Sequence, residues 1–329
     1  MYPESNFELK HPNVLDKLKS RMLYIESYFN KSLCPSLSTE QKIILDKVKH
    51  DGFALLDNYL SESILHIMQD ELSTALEDLK FMTPCLAQAK VDPIRHVNLI
   101  NNNMLGTPQE LESLGVTFNL SDARNYQQAL KEFNPSTLTV DMLMFSEAYR
   151  KVWTDPFLLG IVAHYLGMVP KLVEAYVRRN FPAPYRSMNH YWHRDLNNRF
   201  HLIKMFVFLS DCTKETGPHE YIQGSHIDYS RLNNQRYYSD DQIDAVYPLT
   251  CAKRILSTVK AGTIILEDTR GLHRANVPET GYRDLGYAVF MPLRPFYHHK
   301  NYIFPVSAYR HLSSFQKAFI PKSCIQHMT

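Results

Sequence analysis

Residues 189–195 read Asn-His-Tyr-Trp-His-Arg-Asp and carry the strongest chemical signal in the chain. We predict a strand over 187–195, and alternate residues of a strand share one face, so His193 and Asp195 point the same way. An imidazole and a carboxylate at this spacing can bind one metal ion together. The pair is weak on its own because the chain has 15 histidines, so the interpretation depends on a third ligand.

A third ligand is available at His273, in the segment Glu-Asp-Thr-Arg-Gly-Leu-His near the end of another predicted strand. Two imidazoles and one carboxylate on one face of a metal leave its other coordination positions open. This facial triad is the ligand set of non-haem Fe(II) oxygenases. The sequence therefore predicts an iron site at His193, Asp195 and His273, with room for a cosubstrate and dioxygen.

Four other side chains are candidates for binding the cosubstrate. Arg283 lies in the next predicted strand, where a buried guanidinium would form a two-pronged ion pair with a carboxylate. On a regular strand, Asn189 and Tyr191 share the face of His193, although either residue could equally be part of the pocket wall. Lys204 lies in an apolar strand and could assist a carboxylate, but extension of its ammonium to solvent is the commoner arrangement.

The two halves of the chain differ in their hydrophobic pattern. Up to about residue 170, apolar residues recur at helical spacing behind capping residues such as Ser38 and Pro156, with a helix expected over 140–153 and a short strand over 52–56. β-branched and aromatic runs follow, at 171–179, 187–195, 201–209, 253–259, 263–267 and 286–293. No Gly/Ser/Pro linker separates the halves. The pattern predicts one α+β unit in which helices pack on a β barrel or sandwich.

Composition restricts the class of protein. The chain is 44% hydrophobic and 21% charged, which is typical of a folded protein. Its 36 basic and 34 acidic residues give a net charge of +2, too balanced for a general nucleic-acid binder or a polybasic membrane protein. The five cysteines include no CxxC pair, and we find no secretory signal and no apolar run of membrane-spanning length. We expect a cytoplasmic protein without nucleic-acid or membrane partners.

Several further motifs occur in order along the chain: Asp51-Gly-Phe-Ala-Leu-Leu56, Trp192-His193-Arg-Asp195, Phe208-Leu-Ser-Asp211, Thr216-Gly-Pro218, Tyr221-Ile-Gln-Gly-Ser-His226, Gly262-Thr-Ile-Ile-Leu-Glu-Asp268 and Leu272-His273-Arg274. Together they resemble the motifs of the phytanoyl-coenzyme A dioxygenase family of Fe(II)/2-oxoglutarate oxygenases. Gln223 stands where the family usually has proline. The resemblance covers about residues 45–295, and the ordered set is far more specific than any single motif.

The resemblance implies an α+β fold with a double-stranded β-helix core, of the jelly-roll or cupin-like type, and N-terminal and flanking helices. It implies Fe(II) bound by His193, Asp195 and His273, and 2-oxoglutarate anchored by Arg283, with O2 consumed and succinate and CO2 released. Halogenating relatives lack the carboxylate ligand, so Asp195 implies hydroxylation or a related outcome. The expected division is a helical extension over 1–40, an oxygenase domain over 41–297 and a C-terminal tail packed on that domain over 298–329.

The resemblance does not imply a substrate. A small molecule is favoured, and an anionic or carrier-bound one is suggested by a cluster of arginines, of which the best candidates are Arg186, Arg199 and one of the pair Arg178 and Arg179. The simpler explanation is that these arginines pair with acids elsewhere or face water. Two other functions remain open: a non-catalytic binding or regulatory protein that keeps the fold, and an oxygenase that acts on a protein side chain.

Overall fold

A computed structural model describes residues 22–77 except 23, 137–182, 186, 188–195, 201–232, 235, 237–292 and 302–327. The sequence also predicts irregular structure over 81–120 and a helix over 121–133, and both segments lie outside these residues. Within them, the helices are α1 (Thr39–Asp51), α2 (Glu62–Glu77), α3 (Glu147–Trp153), α4 (Pro156–Leu166), α5 (Asp240–Val246), α6 (Val306–Arg310) and α7 (Ser314–Phe319). None of these helices has the length and apolarity needed to cross a membrane.

The strands are β1 (Phe53–Leu56), β2 (Thr137–Val140), β3 (Lys171–Asn180), β4 (Trp192–His193), β5 (Ile203–Phe208), β6 (His219–Ile222), β7 (Tyr237–Tyr238), β8 (Arg254–Ser257), β9 (Ile264–Glu267), β10 (His273–Ala275), β11 (Arg283–Met291), β12 (Phe304–Pro305) and β13 (Ile325–Gln326). A larger antiparallel sheet has the order β1-β9-β5-β11-β3-β2, and a smaller one has the order β7-β4-β10-β6-β8. Consecutive strands thus alternate between two sheets through much of the second half. This topology confirms the predicted α+β class with a double-stranded β-helix core.

Strand β11 shows how the core is divided, because it lies inside the larger sheet and is buried throughout. On one face, Leu285 and Tyr287 pack in an apolar cluster with Phe206 of β5, in the interior between the sheets. On the other face, Ala288 and Phe290 join the cluster formed with the helices. The functional side chains described below lie on the interior face.

Gly286 marks a close approach between the larger sheet and its helical layer. A Cβ atom at this position would lie 2.4 Å from the Trp153 ring, at the end of α3. The Trp153 indole N–H donates to the Tyr287 carbonyl at 3.3 Å, which fixes the ring against the strand. Only glycine leaves room for this packing without movement of the helix or the indole.

Local signals account for the helices that were predicted correctly. Ser38 and Gln41 form a reciprocal capping box at the start of α1, which satisfies free N–H groups of the first turn. Helix α4 begins with Pro156 behind Asp155, whose side chain accepts from the Phe157 N–H, and ends before Gly167 in the left-handed conformation.

Two predicted elements differ from the structure. The helix expected over 140–153 begins only at Glu147, because Ser146 is extended and caps it by accepting from the Tyr149 N–H at 3.1 Å. The strand expected over 187–195 is reduced to Trp192–His193, preceded by a 3-10 turn over Met188–His190. Strand β6 was not predicted from the sequence.

The C-terminal segment over 302–327 buries Phe304, Phe319 and Ile320 in the helix-side cluster. The Ile303 N–H also donates to Asp141 at 2.7 Å. The expected division into an extension, a domain and a tail stays a prediction.

Candidate active site

Three residues predicted as metal ligands meet on the smaller sheet. Strands β4 and β10 pair antiparallel with His193 directly opposite His273, and their ring centroids are 4.1 Å apart. Asp195 follows β4 and is held by its backbone N–H, which donates to the Thr269 carbonyl at 3.0 Å. Its carboxylate oxygens lie 3.8 Å from His193 Nε2 and 3.6 Å from His273 Nε2. One ligand atom from each residue lies within 4.8 Å of the others, close enough for a single ion.

Main-chain carbonyls orient both imidazoles. His193 Nδ1 lies 2.8 Å from the Tyr191 carbonyl oxygen, and His273 Nδ1 lies 2.9 Å from the Gly271 carbonyl oxygen. A carbonyl can only accept, so each Nδ1 carries the proton and each Nε2 presents a lone pair towards Asp195. Burial lowers the pKa of His193 to about 4 and that of His273 well below its usual range. Both rings are therefore neutral at pH 7, which is the form that binds metal.

Lys204 lies beside the triad, because its side chain points from β5 into the interior. The residue is 8% exposed and its Nζ contacts Asp195 Oδ2. Burial raises the pKa of Asp195, but the positive charge and hydrogen bond of Lys204 outweigh it, and the net pKa is lowered. The carboxylate is ionised at pH 7. The expectation that Lys204 extends to solvent was wrong, because both faces of this strand are covered.

Arg283 begins β11 on the interior face and is 1% exposed. Its Nη2 donates to Asn180 Oδ1 at 3.2 Å, whereas its Nε and Nη1 have no hydrogen-bond partner among the described residues. Burial lowers its pKa to about 10, and the nearby charge of Arg178 acts in the same direction. A buried guanidinium with two unused donors fits a bidentate carboxylate ligand.

Asn189 and Tyr191 do not lie on a regular strand with His193, so the parity argument that grouped them was wrong. Asn189 lies in the 3-10 turn and is half-buried. Tyr191 contributes its carbonyl to His193, and its ring lies 4.6 Å from the Arg186 guanidinium.

Two arginines of the predicted cluster, Arg179 and Arg186, have acidic partners distant in sequence. Arg179 forms two hydrogen bonds with Asp284, at 2.7 and 2.8 Å. Arg186 donates to Asp240 at 2.8 Å. Arg199 lies outside the described residues. Arg178 alone of the adjacent pair faces the interior, as strand parity predicts.

A second imidazole–carboxylate pair lies next to the triad and was not predicted. His219 Nε2 is 2.9 Å from Glu267 Oε1, and the His219 ring centroid is 5.5 Å from that of His273. The two residues come from β6 and β9, in different sheets. Both side chains point into the interior, where they are buried and form a hydrogen bond with each other. If β6 had been predicted from the sequence, His219, its first residue, would have been placed beside the triad.

The sequence matches the model of the phytanoyl-CoA dioxygenase (PhyH) family over residues 48–280, well over half of the chain. The chain belongs to the phytanoyl-CoA dioxygenase family. Membership confirms the predicted enzyme class, a non-haem iron oxygenase dependent on 2-oxoglutarate, and with it Fe(II) and 2-oxoglutarate as cofactors. The matched range includes His193, Asp195 and His273 and ends just before Arg283.

Solved structures with similar folds share little sequence with this family member. They include HygX from Streptomyces hygroscopicus with nickel and 2-oxoglutarate bound, at 19% identity over 83% of this chain and 92% of that one, with a TM-score of 0.46. EctD from S. alaskensis with bound Fe is 17% identical over 79% of this chain and 80% of that one, with a TM-score of 0.47. The carbocyclase SnoK from nogalamycin biosynthesis is 18% identical over 79% of this chain and 87% of that one, with a TM-score of 0.44. Similarities of this size say nothing about the substrate. The sequence has no match among curated proteins.

Proposed function

We propose that this oxygenase hydroxylates a small molecule, with Fe(II) held by His193, Asp195 and His273. The convergence of two Nε2 atoms and a carboxylate within 4.8 Å is the observation that carries the proposal. Three ligands on one face leave positions for 2-oxoglutarate and dioxygen. When bound, the iron and the cosubstrate supply the oxidising chemistry, with 2-oxoglutarate and O2 converted to succinate and CO2.

Asp195 supports hydroxylation rather than halogenation. Halogenating relatives lack the carboxylate ligand, and here an ionised carboxylate faces both Nε2 atoms. The coordination position that a halide would need is therefore taken by the protein itself.

Arg283 anchors the distal carboxylate of 2-oxoglutarate in this proposal. The free Nε and Nη1 donors support the role, since a buried guanidinium without a carboxylate partner is costly. The bidentate pair would satisfy both donors and neutralise the charge in one step.

If a metal ion bound the Asp195 carboxylate, the Lys204 ammonium that contacts it would be free for another partner. We propose that this ammonium would contact a carboxylate of 2-oxoglutarate. We propose that Tyr191 acts through its carbonyl on His193, and that Asn189 forms part of the cosubstrate wall.

The charge of the substrate was predicted from the arginine cluster. Arg186 and Arg179 are neutralised by Asp240 and Asp284, which supports the simpler explanation for these members of the cluster. We propose a small-molecule substrate, and Arg199 is the remaining candidate of this cluster for an anionic group of that substrate. A protein side chain and a non-catalytic binding role are the competing functions.

Succinate formation tests the proposal. Purified protein with Fe(II), 2-oxoglutarate and O2 would be screened against small molecules, with His273→Ala as the test variant and His164→Ala as the control. His164 is half-buried on α4 and contacts the Pro35 carbonyl, away from the triad. We expect His273→Ala to lower succinate formation by at least about 100-fold and His164→Ala to leave it unchanged.

Each alternative gives a different result. Metal and 2-oxoglutarate binding without succinate from any small molecule or peptide would favour the non-catalytic role. Turnover only with peptides would favour a protein substrate. Full activity of His273→Ala would refute the ligand assignment.

A further inference from the structure

We propose that Arg178 is a second cation of the cosubstrate site and binds the distal carboxylate of 2-oxoglutarate together with Arg283. The inference rests on the proposed function and adds a residue that family motifs do not mark. Arg178 lies on β3, is 6% exposed and points into the interior between the sheets.

Strand register places the two arginines next to each other. On β3 and β11, Asn180 lies opposite Arg283, and Arg178 lies opposite Leu285. Because residues two apart on a strand share a face, Arg178 and Asn180 both point inward with Arg283. Arg179, between them, points to the other face and bonds Asp284.

The same register places Arg178 on the metal side of Arg283. Along the inward face of β11, Arg283 is followed by Leu285, Tyr287 and Val289, and Val289 lies opposite Lys204, whose ammonium contacts Asp195. The Arg178 guanidinium lies 4.7 Å from the centroid of the Tyr287 ring. A ligand that extends from the triad to Arg283 therefore passes Arg178.

Neither inward guanidinium has an acidic partner among the residues that the structure describes. Arg178 Nη2 donates to the Tyr176 hydroxyl at 3.2 Å, and its Nε has no hydrogen-bond partner. Arg283 is satisfied only by Asn180. By contrast, the buried guanidiniums of Arg254 and Arg270 each pair with a carboxylate.

Two neighbouring buried cations that form no salt bridge among the described residues favour binding of an anion. Glu174, on the same face of β3, interacts electrostatically with Arg178 but forms no salt bridge with it. Each guanidinium keeps N–H donors that no protein group uses, and the two positive charges repel each other. A carboxylate between them accepts from both guanidiniums and removes the repulsion. The distal carboxylate of 2-oxoglutarate has this chemistry and is the part of the cosubstrate farthest from the metal.

The test compares two ligands that differ only at the distal end. In 2-oxopentanoate a methyl group replaces the distal carboxylate, while the metal-binding 2-oxo acid is retained. Binding of each to Mn²⁺-loaded protein would be measured by calorimetry for the wild type, Arg178→Met, Arg178→Gln and Arg283→Met. Arg179→Met is the matched control, since it removes the adjacent arginine from the opposite face.

We expect Arg178→Met and Arg178→Gln to weaken 2-oxoglutarate binding about tenfold or more and to leave 2-oxopentanoate binding unchanged. The affinity ratio of the two ligands is insensitive to partial loss of folded protein. Arg179→Met should keep the wild-type ratio. An additional loss on combining Arg178→Met with Arg283→Met, again only for 2-oxoglutarate, would support a shared carboxylate.

Wild-type affinity of both Arg178 variants for 2-oxoglutarate would overturn the inference, as would equal losses for the two ligands. If these variants instead raise only the substrate requirement, Arg178 belongs to the substrate site. Wild-type protein that binds Mn²⁺ but not 2-oxoglutarate would refute the proposed function itself, which is a distinguishable result.

Discussion

Replacing Lys204 with methionine should strengthen metal binding. The Lys204 ammonium contacts Asp195 Oδ2, one of the oxygens that face the two imidazoles. At a separation of about 5 Å, a divalent cation and an ammonium repel by about 7 kcal/mol at an effective dielectric constant of 20. Movement of the flexible lysine relieves most of this repulsion. If about one fifth remains, about 1.4 kcal/mol, the affinity of Lys204→Met for metal rises about tenfold.

Mn²⁺ binding to metal-free protein, measured by calorimetry, provides the assay. Lys171→Met is the matched control, because Lys171 is also buried on the larger sheet but bonds Glu26 and the Ala318 carbonyl, away from the triad. We expect wild-type Mn²⁺ affinity for this control. Unchanged or weaker Mn²⁺ binding by Lys204→Met would refute the idea that lysine and metal compete for Asp195. The proposed contact of Lys204 with cosubstrate predicts the opposite sign for 2-oxoglutarate, which should bind Lys204→Met more weakly.

Two further predictions concern stability, measured by urea unfolding. Gly286→Ala should lower the free energy of unfolding by about 1–3 kcal/mol, because the added Cβ overlaps the Trp153 ring. Adding Trp153→Phe should recover part of this loss. An unchanged urea midpoint for Gly286→Ala would contradict the packing. Burial raises the pKa of Asp141 to about 7, so the folded protein keeps a proton that the unfolded chain releases near its ordinary value. The stability of the wild type relative to Asp141→Asn should therefore be greatest below about pH 4 and fall by at most about 4 kcal/mol as pH rises through 7, and a difference independent of pH would refute this.

Elements with local signals could be predicted from the sequence. The capping box at Ser38 and the proline–glycine pair around α4 each lie within a few residues of the helix end that they define. The β-rich second half and the ordered motifs likewise led to the fold class and to the grouping of His193, Asp195 and His273. The latter grouping used spacing on one strand, although that strand proved to be only two residues long.

Features that depend on distant partners could not be predicted in this way. The pair of His219 and Glu267 joins strands of different sheets, and its residues are 48 positions apart. Arg186 and Asp240 are 54 positions apart, so a local count of charges made the arginine cluster look uncompensated. Which of these groups meet is determined by how the two sheets close on each other, not by the residues beside them.

The two imidazoles are oriented by main-chain carbonyls, so the side chains at those positions are not needed to orient the metal ligands. Any residue at position 191 supplies the same carbonyl to His193, so its side chain is free to reshape the pocket wall while the ligand geometry is retained. Position 271 lacks this freedom, because a Cβ atom there would lie 2.0 Å from the Tyr221 hydroxyl. Diversification for new substrates should therefore be tolerated on the β4 side of the iron and rejected at the turn before β10.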